Sequence, residues 1–335
     1  MNDSIFTQNI ENWYVNNKRD LPWRHNPKPY LVWLAEIVFQ QTQIKQGMGH
    51  YKRLVEAFPT VEKLADASED DVLKLWEGLG YYARARNLHK AAKLIQSNDA
   101  FPKTGKEWES LPGIGPYTAA AIASVCANEP IACVDGNVMR VLSRTHAISD
   151  DIRAGTTQAL MRKIANEKIQ FAEHPGNFNQ GMMELGAIIC TPKKPNCNAC
   201  PVQHQCALYN NQLDPSLYPF KSKAKPRIKR HLHFAFASNE PFVLLRRNPE
   251  KGIWAGLYLL PFNEGKESAF KKTGSLVKKG KHLLSHQEIH YYIWDIKTWK
   301  LLPDDHTDYK HAPLDKPLPA LPVPLKKFVD AFVNL

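Results

Sequence analysis

Residues 111–122, LPGIGPYTAAAI, decide the fold of the first half of this chain of 335 residues. Gly113 and Gly115 stand between two runs of helical spacing, where the second helix begins. The backbone N–H groups at a helix N-terminus bind anions such as phosphate. An ordinary turn between two helices has the same pattern. The motif by itself therefore leaves an anion site and a plain turn as alternatives.

A lone acidic residue follows in the segment VDGNVMRV, residues 134–141. Asp135 directly precedes a predicted helix, and an isolated aspartate at such a position is normally an N-cap. Four cysteines come later, at Cys190, Cys197, Cys200 and Cys206, with the spacing C-x6-C-x2-C-x5-C. Four thiolates on one short segment suit a tetrahedral metal or a cubane iron–sulfur cluster. Their spacing alone leaves the choice of metal open.

The chain divides into two regions of different composition. From Phe6 to Leu208 the spacing predicts helices over 5–17, 30–46, 48–57, 61–66, 69–76, 81–97, 104–110, 116–127, 136–145, 157–168 and 175–188. Residues 221–230, KSKAKPRIKR, carry six basic residues and predict a linker over 221–231. We therefore expect a helical domain over 1–220 and a second domain over 232–335.

The second domain has the composition of half-buried strands. The runs HLHFAFAS, PFVLLRRN, GLYLLPF, HQEIHYYIWDI and KTWKLL are rich in aromatic and branched residues. The last residues, LPVPLKKFVDAFVNL, have helical spacing instead. This pattern predicts an α+β domain.

Net charge indicates the class of partner, and composition indicates the class of protein. The chain has 44 Lys and Arg against 33 Asp and Glu, a net charge of +11, which favours nucleic acid. Its composition is that of a globular protein and excludes a disordered or fibrous chain. The sequence predicts neither a leader peptide nor a membrane span. We expect a cytoplasmic protein associated with the nucleoid.

The order of these features resembles one superfamily. A glycine hairpin, an aspartate about twenty residues later and four cysteines occur in this order in helix-hairpin-helix DNA glycosylases of the endonuclease III superfamily, which carry a 4Fe-4S cluster. The resemblance implies a hairpin over 110–118 whose Gly113 and Gly115 hold a DNA phosphate. It also implies a 4Fe-4S segment over 190–206, with the four clustered cysteines as ligands.

Within the superfamily, residues 33–43 point to one family. WLAEIVFQQTQ places the single carboxylate of Glu36 among apolar residues, where we expect it to be protonated more readily than a solvated acid. Without further context, an exposed glutamate on an amphipathic helix would be the usual interpretation. The run resembles the catalytic helix of the adenine DNA glycosylase (MutY) family, and so do LPWR, GLGYYARARNLH and FNQGMMELGAIIC. Together these matches cover most of residues 5–210.

The resemblance assigns roles to further residues. Bifunctional relatives carry a Schiff-base lysine eighteen residues before the aspartate, where this chain has Tyr117, so a monofunctional glycosylase is implied. Glu36 would be the general acid, and Asp135 would stabilise the sugar cation with Tyr117 and Asn137 beside the pair. Arg24 and Gln180 would line the adenine pocket, while Gln41 and Tyr81 would wedge into the duplex. For Tyr81, a core aromatic is the alternative.

The C-terminal region resembles a further part of that family. Residues 254–261, WAGLYLLP, are similar to the MutT-like (Nudix-like) domain that follows the cluster, and Leu284-Ser285-His286 resembles its Phe-Ser-His loop. No acidic Nudix box is present in the sequence, so the domain is expected to recognise DNA rather than to catalyse. Ser285 and His286 would read the 8-oxoguanine strand.

The resulting expectation is a monomeric enzyme that removes adenine opposite 8-oxoguanine or guanine in double-stranded DNA. Its fold would be an all-α helix-hairpin-helix glycosylase domain with a 4Fe-4S cluster, followed by an α+β MutT-like domain. One alternative is a related glycosylase with a different base specificity. Another is a non-catalytic protein that binds damaged DNA, although Glu36 and Asp135 together argue against it.

Overall fold

The computed structural model describes residues 2–223, 226–302 and 308–333. Two compact units are present: Met1–Asp66 with Asn87–Lys223, and Ala67–Arg86 with Ala224–Leu335. Residues 67–86, which the sequence places in the helical domain, thus group with the C-terminal region. Met1, Ala224, Lys225, residues 303–307, Asn334 and Leu335, which the predicted domains and linker include, lie outside the described residues. The boundaries predicted at 220 and 232 stay predictions.

The first unit is built from helices. They are α1 (Asp3–Asn17), α2 (Pro22–His25), α3 (Pro29–Phe39), α4 (Ile44–Ala57), α5 (Val61–Asp66), α8 (Gly105–Glu109), α9 (Pro116–Cys126), α10 (Gly136–Thr145), α11 (Gly155–Ile169), α12 (Pro175–Ile188) and α13 (Ala207–Asn210). Helix α7 (Ala83–Asn98) begins in the second unit and continues in the first.

Local sequence explains where these helices start. The Asn2 side chain caps α1, and Thr104 forms a capping box with Glu107 at α8. Helices α3, α9 and α12 begin with proline, which has no N–H group to leave unpaired in the first turn. Phe6, Val141, Met161 and Phe178 then bury α1, α10, α11 and α12 around one apolar core.

The largest difference from the predicted helix boundaries lies between α3 and α4. The continuous helix expected over 30–46 ends at Phe39, and α4 begins at Ile44. Gln41 lies between them with φ 54°, in the left-handed region. Such a conformation costs free energy in a residue other than glycine and interrupts the helical hydrogen bonds. The break exposes Gln41 at the end of the helix that carries Glu36.

The second unit combines helices with two sheets. It contains α6 (Glu69–Trp76), β1 (Ile228–Phe236), β2 (Phe242–Arg247), β3 (Tyr258–Leu259), β4 (Phe262–Glu264), β5 (Ser275–Leu283), β6 (Gln287–Asp295), β7 (Lys310–Pro313) and α14 (Val323–Val333). The larger sheet has the order β4-β1-β6-β5, and the smaller one β3-β2-β7. Strands β1 and β6 are parallel, whereas the other pairs are antiparallel.

Packing in this unit follows strand alternation. Phe234, Phe236, Ile289 and Ile293 are buried on one side of the larger sheet, and Phe236 contacts the rings of α14. The predicted strand KTWKLL is wrong, because Trp299–Leu301 forms a 3₁₀ turn. Strand β5 was not predicted, since its exposed lysines hide the alternation. The structure nevertheless confirms a helical region followed by a domain of sheets and helix.

In the part of the chain that the structure describes, no helix combines the length and the apolar character needed to cross a membrane.

Candidate active site

The predicted catalytic residues line one cavity of the first unit, with a volume of about 550 Å³. Helix α3 contributes Glu36 to it, and the turn before α10 contributes Asp135. The other predicted residues in its wall are Arg24, Gln41, Gly115, Tyr117 and Asn137. The fold thus brings together side chains that are about one hundred residues apart in sequence. A cavity of this size is in the range of small-molecule sites.

Glu36 is half-buried, and its neighbours on α3 are apolar. Burial and the nearby charge of Asp135 raise the pKa of Glu36 to about 7, although Arg24 and a hydrogen bond with Tyr117 oppose the shift. The Tyr117 oxygen also lies 3.1 Å from the Met183 sulfur. A carboxylate is a much better acceptor than a thioether, so the Tyr117 hydroxyl donates its hydrogen bond to Glu36 when Glu36 is ionised. The cavity therefore holds a carboxyl group that is partly protonated near neutral pH.

Asp135 accepts three hydrogen bonds. One oxygen accepts from the backbone N–H groups of Asn137 (2.9 Å) and Val138 (2.8 Å), and the other accepts from the Asn137 side-chain amide (2.8 Å). The first two contacts are those of an N-cap. Burial raises the pKa of Asp135, and these three donors act against that rise. Capping and a position in the cavity wall thus coexist in one residue, so the two interpretations of Asp135 are compatible.

The two carboxyl groups share a low-dielectric space, so ionising one disfavours ionising the other. Asp135 has three donors for its anion, whereas Glu36 has the Tyr117 hydroxyl and the field of Arg24. The first charge of the pair therefore belongs on Asp135, and the retained proton belongs on Glu36. Such a division suits an acid and an electrostatic stabiliser.

Behind Asn137 lies Arg140, which the sequence did not reveal as part of the site. Its guanidinium donates to the Asn137 side-chain oxygen (3.0 Å) and to the carbonyls of Gly186 (2.7 Å) and Cys190 (2.8 Å). Gly186 lets α12 approach Asn137 closely, because an added Cβ would lie 2.6 Å from the Asn137 Cβ. Arg140 therefore fixes the amide that orients Asp135 and joins it to the first cysteine.

Arg24 lies in the cavity wall with a side chain that is 10% exposed. It donates to the carboxylate of Glu184 (3.0 Å), which is fully buried and also accepts from Arg19 (2.6 Å). Burial would raise the pKa of Glu184, but the two arginines lower it to about 2. Sequence reasoning missed Arg19 and Glu184, although Glu184 stands in the motif FNQGMMELGAIIC.

Gln180 occupies a different place from the one expected. It accepts a hydrogen bond from the Tyr14 hydroxyl and lines a neighbouring cavity of about 250 Å³, to which Arg24 also contributes. Gln180 is not among the residues in the wall of the cavity with Glu36. Arg24 therefore lines both the cavity with Glu36 and the neighbouring cavity with Gln180.

The predicted hairpin precedes α9. Gly113 has φ 77°, and an added Cβ would lie 2.6 Å from the Asn87 side chain, so both conformation and space require glycine. Gly115 is the exposed N-cap of α9, and a Cβ there would meet open space. The hairpin thus leaves the start of α9 accessible, as an anion site would need.

The predicted wedge residues are both exposed and both have left-handed backbones. Gln41 has φ 54° in the first unit, and Tyr81 has φ 48° in the second. Tyr81 is 46% exposed, which excludes the alternative of a core aromatic. Strain of this kind concentrates at functional sites.

Ser285 and His286 belong to the turn between β5 and β6, where both side chains are exposed. The Leu284 backbone N–H donates to the Gln287 carbonyl and closes this turn (2.9 Å). The Ser285 hydroxyl lies 3.5 Å from the hydroxyl of Tyr81 in the same unit. The second unit thus presents Tyr81, Ser285 and His286 on its surface.

The four clustered cysteines line one common cavity of the first unit, next to Arg144. Their thiols are half-buried and none is in a disulfide. Arg144 donates to the Cys190 sulfur (3.4 Å), and its carbonyl accepts from the Cys206 thiol (3.5 Å). Among the described residues, no three His, Cys, Asp or Glu side chains are grouped closely enough to hold a single metal ion.

Comparison with known proteins gives consistent results. Residues 34–167 match the HhH-GPD superfamily of base excision DNA repair proteins. The adenine DNA glycosylase of Buchnera aphidicola subsp. Acyrthosiphon pisum (strain APS) is 38% identical over 274 residues, which are 80% of this chain and 77% of that protein.

Two solved structures share the fold of the first region. A thermostable thymine-DNA glycosylase is 25% identical with a TM-score of 0.55, and the match covers 62% of this chain and 97% of that one. A non-covalent endonuclease III–DNA complex is 21% identical with a TM-score of 0.51, over 62% of this chain and 94% of that one.

Proposed function

Because this chain belongs to the adenine DNA glycosylase family of helix-hairpin-helix base excision repair proteins, we propose that it removes adenine paired with 8-oxoguanine or guanine in double-stranded DNA. The observation that carries the proposal is the pair of unlike carboxyl groups, Glu36 and Asp135, in one cavity. The net charge of +11 supports DNA as the partner.

Adenine leaves a sugar poorly as an anion, so the base must be protonated. In the proposed mechanism the neutral carboxyl of Glu36 donates its proton to N7 of a flipped-out adenine, and the C1′–N9 bond breaks. A pKa of about 7 leaves a substantial fraction of Glu36 protonated near neutral pH. The sugar becomes an oxocarbenium-like cation.

Asp135 then faces a positive charge. Its carboxylate, held by Asn137 and Val138, stabilises the cation electrostatically, and water adds at C1′ to complete hydrolysis. The phenol of Tyr117 cannot form an imine, which supports a monofunctional reaction. Tyr117 instead hydrogen-bonds to Glu36 and orients the acid.

Arg24 and Glu184 are the polar groups suited to bind the adenine edge. Both lie in the wall of the cavity, and their ion pair fixes the position of each. A guanidinium donates to ring nitrogens, whereas a carboxylate accepts from an exocyclic amine. Gln180 contacts this region through Arg24, from the neighbouring cavity.

The surface residues suit DNA binding. The open N-terminus of α9, after Gly113 and Gly115, would hold a phosphate. Gln41 and Tyr81 would wedge into the duplex beside 8-oxoguanine and offset part of the cost of unstacking. Ser285 and His286 would contact the 8-oxoguanine strand, and this contact would give the preference for the lesion.

The four cysteines fit a 4Fe-4S cluster. Cys190, Cys197, Cys200 and Cys206 supply four soft ligands around one space. The spacing C-x6-C-x2-C-x5-C resembles the 4Fe-4S segment of the endonuclease III superfamily, and this resemblance favours a cluster over one zinc ion. When bound, the cluster would crosslink this segment and support its position against DNA.

The test is a single-turnover assay on a duplex with one adenine opposite 8-oxoguanine, followed by alkali. We expect strand cleavage only after alkali, and weaker excision opposite guanine. Excision of thymine but not adenine would favour the related glycosylase of different specificity. Binding without excision would favour the non-catalytic DNA-binding alternative.

A further inference from the structure

Residues 67–86 contact the C-terminal part of their unit through charged side chains. Helix α6 begins with Glu69, Asp70 and Asp71. The Arg247 guanidinium forms an ion pair with Glu69, and the Tyr258 hydroxyl donates to Asp70 (3.2 Å). These contacts lie at the exposed start of the helix, where ion pairs contribute little free energy.

The other end of α6 is attached by a more buried group. Glu77 is the C-cap residue of α6, and its side chain is 7% exposed. One carboxylate oxygen accepts from the backbone N–H of Leu321 (3.1 Å). The other lies 3.0 Å from the Lys74 ammonium and 3.6 Å from that of Lys326 on α14. Hydrogen bonds to a buried charge are among the stronger polar contacts in a protein.

The loop that follows Glu77 carries Tyr81. Gly78, Gly80 and Tyr81 all have positive φ, so the loop has few alternative conformations once its ends are fixed. The Trp76 indole N–H donates to the Gly80 carbonyl (3.0 Å). The Arg84 guanidinium lies over the rings of both Trp76 and Tyr81, at 5.2 and 5.4 Å from their centres.

The far side of the loop is held by Arg86. Its buried guanidinium donates to the carbonyl of Ala255, and Gly256, with φ 76°, leaves room for it. Both ends of the loop are therefore attached to C-terminal residues of the unit. Between these attachments the Tyr81 hydroxyl lies 3.5 Å from that of Ser285.

From these contacts we infer that Glu77 is a positioning residue for lesion recognition. It fixes the start of the 78–81 loop against α14 and thereby keeps Tyr81 beside Ser285, so that the two side chains meet the 8-oxoguanine nucleotide together. The inference rests on the proposed function. The C-terminal residues of the unit would thus fix the position of Tyr81 through their contacts with residues 67–86. The domain boundaries predicted from the sequence place Tyr81 in the helical domain.

The experiment compares adenine excision opposite 8-oxoguanine and opposite guanine, with single-turnover rates and dissociation constants for each duplex. Glu77→Ala removes the contacts with Leu321 and Lys326 as well as that with Lys74, and the preference for 8-oxoguanine should fall about tenfold. Glu77→Gln keeps an oxygen for the Leu321 N–H and should lose less. Lys326→Met should also reduce the preference in part.

Lys74→Ala is the matched control, because it removes a partner of Glu77 on α6 itself and leaves the contacts with Leu321 and Lys326 in place. It should retain the full preference. Excision opposite guanine should change less than about twofold in every variant, because the adenine cavity is untouched.

An unchanged preference in Glu77→Ala would overturn the inference. Equal losses on both duplexes would also overturn it, because they would make Glu77 a residue that only stabilises the fold. If Glu77→Ala does not fold, Glu77→Gln and Lys326→Met decide the question in the same way. No preference in the unaltered chain would refute the proposed lesion specificity itself, and any role of Glu77 in it.

Discussion

The surroundings of Glu36 and those of Asp135 differ although both residues carry a carboxyl group into the same cavity. Glu36 projects from the middle of an apolar helix, with its backbone groups engaged in that helix. Asp135 stands at the start of α10, where unpaired N–H groups point at its side chain. The helix interior favours a neutral acid, whereas the helix start favours an anion. The position of each carboxyl group along its helix thus favours a different role, acid for Glu36 and anion for Asp135.

The largest expected effect comes from removing the acid. Glu36→Gln keeps the shape of the side chain but has no proton of suitable acidity for N7, so excision should fall by roughly 10⁴-fold or more. DNA affinity should stay within about threefold, since the charge pattern facing the backbone is unchanged. Single-turnover excision and equilibrium binding check this prediction. Glu56→Gln, an exposed substitution on α4, is the matched control. A near-normal rate in Glu36→Gln would remove this residue from the mechanism.

The substitution Asp135→Asn tests the negative charge of residue 135 separately from its role as the N-cap of α10. Asparagine caps helices about as well as aspartate, so the free energy of unfolding should change by less than about 1 kcal/mol. Loss of the anion should reduce excision by roughly 10²-fold or more, because the sugar cation loses its stabilising charge. Thermal unfolding and single-turnover rates on the same preparation measure both. A residue that acts only as an N-cap would give an active Asp135→Asn protein and an unstable Asp135→Ala protein.

The start of the helix at Asp135 could be predicted from the sequence, whereas the end of the helix that carries Glu36 could not. Helices α6, α10 and α12 have the predicted limits, because Ser68, Asp135 and Pro175 are start signals visible in the sequence. The end of α3 was not predictable, since the run QQTQ has no glycine or proline and Gln41 adopts its strained φ in tertiary context. The apolar setting of Glu36, by contrast, is readable from WLAEIVFQQTQ.

The charged residues that hold the site residues in place could not be predicted either, because their contacts also depend on tertiary structure. Arg19 pairs with Glu184, and Arg140 donates to the carbonyls of Gly186 and Cys190. The partners in each contact are far apart in sequence, so no local pattern distinguishes these charged residues from others at the surface. In the C-terminal region, strand β5 was missed because edge strands carry lysines that break the apolar alternation. Family resemblance pointed to Glu36 and Asp135, which line one cavity, and to Gln180, which lines the neighbouring one; the roles assigned to these residues stay predictions.

The pH profile of excision sharpens the contrast between the two carboxyl groups. Activity requires Glu36 protonated, and its pKa is raised to about 7, so the single-turnover rate should fall by about tenfold per pH unit above that value. At low pH the rate should fall again as Asp135 takes up a proton, above the ordinary aspartate range because burial raises the pKa of Asp135. Rates measured from pH 4 to pH 9 would reveal this bell shape. A rate that stays flat through neutral pH and beyond would contradict an acid with the pKa of Glu36.

The smallest expected effect comes from removing the hydrogen bond between Tyr117 and Glu36. The Tyr117 hydroxyl donates to the ionised Glu36 and so lowers the pKa of that carboxyl. Tyr117→Phe removes this donor, so the pKa of Glu36 should rise and the falling limb of the profile should move to higher pH. At neutral pH the rate should change only about two- to fivefold, because a higher protonated fraction offsets poorer orientation of the acid. Thr118→Ser, at the adjacent position, is the control and should leave the limb in place. A limb that moves to lower pH in Tyr117→Phe would mean that Tyr117 favours the neutral carboxyl instead, which would reverse the assigned direction of the hydrogen bond.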